Sequence, residues 1–152
     1  MKDRGQKLAR ISSLGLVASM LVLMVACGAQ PIVLDDLPVY PGATAIQSGQ
    51  NTLADSVVTT MRQSAADQGL KAEFRLFSLP AGTTWQAVQD HYNQVMAGLK
   101  WKPEPDMTVA GAGFQAIGWS QGTGDSQHAL VVGFVPDVSG EGAFAILGLF
   151  GK

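Results

Sequence analysis

Three apolar runs close the chain, Phe114–Gln121, His128–Val135 and Ala143–Phe150, separated only by Gly122–Gln127 and Pro136–Gly142. Connections this short force neighbouring strands to run antiparallel, because a parallel return needs a crossover of about a dozen residues or more. The last run is nearly all apolar, which predicts a strand that is central or covered on both faces. Upstream, Leu70 to Leu79 alternates Leu70, Ala72, Phe74 and Leu76 with Lys71, Glu73 and Arg75, so a strand with one buried face is expected. Thr44 to Ser48 adds a short strand before Gln47–Asn51 breaks the chain.

Two stretches carry the helical period instead. Trp85, Val88, Tyr92, Val95 and Leu99 step by three and four, opposite Gln86, Gln89, Asp90, Asn93 and Lys100. A helix over roughly 84–99 follows, with Thr83 and Gln86 in capping-box spacing, and Val95→Asp is expected to unfold the domain. A second helix runs from Asn51 or Thr52 to about Gln68, with Leu53, Val57, Met61 and Ala65 as its stripe and Gly69 as its stop. Trp101–Asp106 holds two prolines and reads as a rigid extended connection. These elements predict an α+β domain: a twisted antiparallel β-sheet of about four to five strands with two helices packed on one face.

The N-terminal segment does not belong to that domain. Lys2, Arg4, Lys7 and Arg10 give a basic start, and Ile11 to Ala26 then contains no charged residue. The run falls short of the roughly 20 residues that a spanning helix needs. A charged start, a compact apolar centre and small residues at its end describe an export signal. The run ends Leu23-Met24-Val25-Ala26-Cys27-Gly28, and Cys27 is the only cysteine.

Met24-Val25-Ala26-Cys27 resembles a lipobox, the motif of the bacterial lipoprotein signal peptide, with Met24 where the family usually has Leu. The resemblance implies cleavage after Ala26 and lipidation of Cys27 by a diacylglycerol thioether, with further acylation, palmitate for example, at the new amino terminus. Two acyl chains anchor stably where one holds marginally, so no further membrane-binding feature is required. The expected organisation is a signal peptide over 1–26, a lipidated cysteine with a short tether over 27–37, and a single domain over 38–152. Such a tether reaches at most about 35 Å. The segment Leu37-Pro38-Val39-Tyr40-Pro41-Gly42-Ala43 resembles the start of small lipoprotein domains of unassigned function that begin Tyr-Pro-Gly-Ala. From residue 27 onward six Lys and Arg face eleven Asp and Glu, a formal charge of −5 with the cations scattered. That charge excludes nucleic acid and a polybasic lipid grip from the expected partners.

One catalytic motif occurs, Gly118-Trp119-Ser120-Gln121-Gly122, which fits the G-x-S-x-G nucleophile elbow. The elbow requires a strand turning sharply into a helix, with its acid and histidine on separate loops. Here Ser120 runs into a hairpin turn, and Asp125 and His128 sit on that same turn, so the match is read as chance. His91 and His128 are the only histidines, Asp35-Asp36 reads as a solvated pair, and Glu73, Glu104 and Glu141 lie on different elements. No metal site, cofactor or catalytic residue is therefore expected. Trp85 and Trp101 read as core, while Trp119 would offer a stacking surface if exposed.

The sequence thus predicts a lipid-anchored extracytoplasmic lipoprotein, a non-enzymatic module for binding or envelope interaction, held to the membrane through Cys27. Its ligand would be an envelope protein or a small molecule. Two alternatives remain open: an envelope hydrolase or accessory subunit using Ser120, and a structural subunit of a membrane complex.

Overall fold

The computed structural model describes residues 32–137 and 142–152. The expected signal peptide and Cys27 lie outside the described residues. Six strands, β1 (Thr44–Ile46), β2 (Lys71–Ser78), β3 (Lys102–Ala110), β4 (Gln115–Gln121), β5 (His128–Val135) and β6 (Phe144–Gly151), form one sheet. Their spatial order is β1-β2-β6-β5-β4-β3, and every neighbouring pair is antiparallel. Two helices complete the domain, α1 (Thr52–Asp67) and α2 (Trp85–Gly98). The α+β class and the twisted antiparallel sheet are as the sequence predicts.

The helices do not share a face. Ala54 and Val58 of α1 pack with Leu76, Phe144, Ile146 and Val135. Val88, Tyr92 and Met96 of α2 pack with Phe77, Leu130, Val132, Phe134, Ala145 and Leu147. These two sets alternate along β2, β5 and β6, and alternate residues of a strand point to opposite faces. One helix therefore lies on each side. The reason is the apolar run from Phe144 to Leu149, buried throughout. A strand apolar on both faces needs cover on both.

β3 is the strand that the sequence hides. The Pro-containing connection expected at Trp101–Asp106 is mostly its first half. Leu79 N–H donates to the Ala143 carbonyl at 2.9 Å. Carried across the registers, that alternation directs the backbone groups of Gly118 and Ser120 toward β3. Pro103 lies opposite Trp119, so its nitrogen faces outward, where no donor is needed. A register shift follows between Glu104 and Val109. Prolines and a bulge are both edge-strand devices.

The helix ends follow local chemistry. Asn51 Oδ1 accepts from Ala54 N–H at 2.8 Å and caps α1. Thr84, rather than Thr83, caps α2, with Oγ1 accepting from Ala87 N–H; Thr83 Oγ1 instead donates to the Pro80 carbonyl. Both helices close in a Schellman arrangement: Leu70 N–H to Ala65 O with Gly69 N–H to Ala66 O, and Trp101 N–H to Met96 O with Lys100 N–H to Ala97 O. Gly69 supplies the positive φ for the first, as expected of a stop, and Lys100 takes φ 62° in the second. The α1 stripe differs from expectation at its start, where Ala54 and Val58 are buried and Leu53 is 41% exposed, while Ala65 is buried and Val57 and Met61 pack against the core as expected. Asn51→Ala should cost about 1 kcal/mol, read as a lower denaturant midpoint at unchanged slope.

The domain also begins earlier than Pro38. Leu34–Asp36 forms a 3-10 turn, and Leu34 and Leu37 are buried in the α2-side core beside Phe77 and Leu149. Arg75 pairs with Asp35, tying the turn to β2. Residues expected to be tether are thus part of the fold.

Candidate functional site

The α1 side of the sheet is built from small residues along β4 and β5: Ala116, Gly118 and Ser120 beside Ala129, Val131 and Gly133. Large side chains pack against the glycines of this face. A Cβ added to Gly118 would meet Met107 Cβ at 2.5 Å, and one on Gly133 would meet the Phe114 ring at 2.7 Å. Gly148 lies against Phe74 and Phe150, whose rings meet edge to face at 5.5 Å. Between Met107 and the C-terminal half of α1 a slot of about 280 Å³ remains open. Met61, Ala65, Leu70, Val131 and Phe150 make it apolar, and exposed Ser64 and Gln68 stand among its lining residues. No charged side chain lines it. It can take up an apolar group, and its two flexible thioethers allow the walls to adapt.

A second recess of about 400 Å³ lies between the N-terminal half of α1 and the β1–β2 edge. Arg62 overhangs it with its guanidinium carbon 5.7 Å from the Phe74 ring centroid. Asp55, also in its lining, accepts a hydrogen bond from Gly49 N–H at 2.8 Å. That carboxylate therefore braces the turn ahead of α1.

Ser120 is the penultimate residue of β4, 5% exposed, and its hydroxyl donates to Glu104 Oε1. Neither partner of the formal triad reaches it. His128 is opposite Gln121, hence on the other face of the sheet, and its ring lies against Gly151. Asp125 pairs with Lys152 at 2.9 Å. Ser120 thus works as a buried cross-strand donor to a carboxylate. The sequence missed Glu104 as its partner because β3 was not recognised; a Glu two residues beyond Lys102 in a paired strand was the available signal.

The three tryptophans are accounted for by packing. Trp119 is 2% exposed beneath α2 and offers no stacking surface. Trp101 is buried, and Trp85 lies tilted over Phe134 with centroids 6.0 Å apart. His91 is half-buried between the rings of Tyr40 and Tyr92, at 5.3 and 5.0 Å. Its Nε2 and the Tyr92 hydroxyl are buried without a well-formed hydrogen bond, although the Tyr40 backbone approaches the phenol. Burial lowers the His91 pKa and pushes Tyr92 up to about 12.

The signs follow directly. A histidine held neutral stabilises the fold above its unfolded pKa of about 6.5, and that stability is lost as pH falls below it. A neutral buried phenol stabilises below about pH 10, with the loss running from there to about 12. Melting temperature should therefore fall from pH 7 toward pH 5, and His91→Leu should flatten that slope relative to the parent chain.

Among the described residues no group of three or more His, Cys, Asp and Glu is placed to hold a metal ion. No described helix is long and apolar enough to cross a membrane. No family model matches the chain, and neither the curated proteins nor the solved structures contain a significant match to it.

Proposed function

We propose that this chain is a bacterial lipoprotein, anchored through lipid on Cys27 at the extracytoplasmic face, whose domain binds a partner or ligand rather than transforming one. The observation that carries the reading is the sequence from Lys2 to Cys27: a basic start, an uncharged apolar centre and Met24-Val25-Ala26 ahead of the sole cysteine. Two features of the domain support it. Buried Leu34 leaves only about six residues between Cys27 and the fold, a reach of roughly 20 Å, which would hold the module against the bilayer. The slot under α1, apolar and uncharged, would receive an apolar group of the ligand, while Ser120 is committed to Glu104.

The test is fractionation. Wild-type chain should stay with membranes after a high-salt wash and partition into detergent. Cys27→Ala should lose the lipid-dependent part of that partitioning and keep its signal segment. Equal detergent partitioning, with equal apparent mass, would remove the reading.

A further inference from the structure

The two edges of the sheet are unequal. β3 closes one edge with prolines and a bulge. At the other, β1 covers only Leu76–Ser78, so that Lys71–Arg75 of β2, paired with β6 on their inner side, have no strand on their outer side among the described residues. The Leu79 N–H bond to Ala143 fixes which groups face out. Lys71, Glu73, Arg75 and Phe77 direct their backbone groups toward β6, so those of Ala72 and Phe74 point to the open edge. An exposed row of this kind is a template for another strand.

We propose that the occupant is a second copy of this chain, docked β2 to β2 about a two-fold axis at Ala72, which joins the sheets across the two molecules. Charge and space select that register. Centred on Ala72, each Lys71 stands opposite the Glu73 of the other copy, and Leu70 stands opposite Phe74. Ala72 exchanges both backbone bonds with its counterpart, and each Phe74 N–H meets the Leu70 carbonyl of the other copy. Leu70 N–H is already given to Ala65, so this pair makes one bond, through the Leu70 carbonyl, and the Phe74 carbonyl stays with solvent. Centring on Glu73 would set Glu73 against Glu73 and Lys71 against Arg75, and like charges directly opposite are destabilising. Centring on Phe74 would require Leu76, which Ile46 already occupies. Lys71 and Glu73 are both exposed, and neither enters an ion pair among the described residues. An isologous contact also closes on itself, so it yields dimers rather than fibres.

A strand pair this short buries less than a stable interface needs, so the dimer is weak and cross-linking is the suitable readout. In a Cys27→Ser background an introduced cysteine is the full chain's only thiol. Directly paired Cα atoms in this register lie about 5.5 Å apart, within disulfide reach. Glu73 stands diagonal to its counterpart at about 7–8 Å, beyond it. Under a mild oxidant Ala72→Cys should give a self-linked dimer at least about ten-fold faster than Glu73→Cys. Adding Lys71→Glu should slow that linkage several-fold, and Lys71→Glu with Glu73→Lys should restore it. Faster linkage at Glu73→Cys, no linkage at Ala72→Cys across a concentration series, or linkage of Ala72→Cys only to another protein would overturn the proposal. Circular dichroism of each variant confirms that the domain is folded.

Discussion

Val88→Asp abolishes cooperative unfolding of the domain. Val88 is fully buried between α2 and the face of β4, β5 and β6 that carries Trp119, Val132 and Leu147. A carboxylate there has no partner, so it stays charged at a cost of several kcal/mol or takes up a proton and still lacks a hydrogen bond. The lost apolar burial adds about 2 kcal/mol. Together these approach the whole stability of a domain this size. Leu53→Asp, on the exposed side of α1, should change stability by no more than about 0.5 kcal/mol. Val95→Asp, expected from the sequence to unfold the domain, lies at the half-buried flank of α2 and should instead fall between the two. Thermal melting followed by circular dichroism orders the three. A Val88→Asp chain that melts like the parent would mean that α2 does not lie on the sheet.

Trp119→Ala should cost about 3–5 kcal/mol, read as a shift of the urea midpoint. Trp119 is 2% exposed and belongs to the same core cluster as Tyr92 and Met96 of α2. Truncating it leaves a cavity that a sheet paired on both sides cannot close. A cost below about 1 kcal/mol would place the ring at the surface and reopen a stacking site on β4. The same residue decides between two readings of its strand. Alternation along Gln115, Ile117 and Trp119 shows only that they share a face; whether that face is covered depends on α2, which lies far away in sequence.

That dependence explains which parts of the fold the sequence declares. β2 and α2 are legible because each carries its own period, and the last three strands because turn residues bound short apolar runs. Placement is less so. Phe144–Leu149 is apolar on both faces, which calls for a cover on each side, but nothing local says which helix supplies which. β3 was hidden because Pro103 and Pro105 argue against a strand everywhere except at an edge, and edges are assigned only once the sheet order exists. Leu34 and Leu37 looked like tether residues because two leucines without a period carry no local signal; their burial beside Phe77 is a tertiary fact. The slot under α1 was likewise illegible. Its lining residues Met61, Met107, Val131 and Phe150 come from α1, β3, β5 and β6, and only the strand registers and the packing of α1 bring them together. Ser120 was readable to the extent that its turn context argued against an elbow, while its actual partner Glu104 was not.

A weak two-fold contact along β2 would gain from membrane anchoring, since confinement raises effective concentration without adding a contact. Everything proposed for this chain at the membrane depends on that anchor. Mass spectrometry of the amino-terminal peptide from membranes tests it most directly. A wild-type chain beginning at Cys27 and carrying a diacylglycerol mass on that residue is expected, and a Cys27→Ala chain that retains Met1 and no lipid. A wild-type chain with its Met1 segment intact, or one cut elsewhere and unmodified at Cys27, would contradict it.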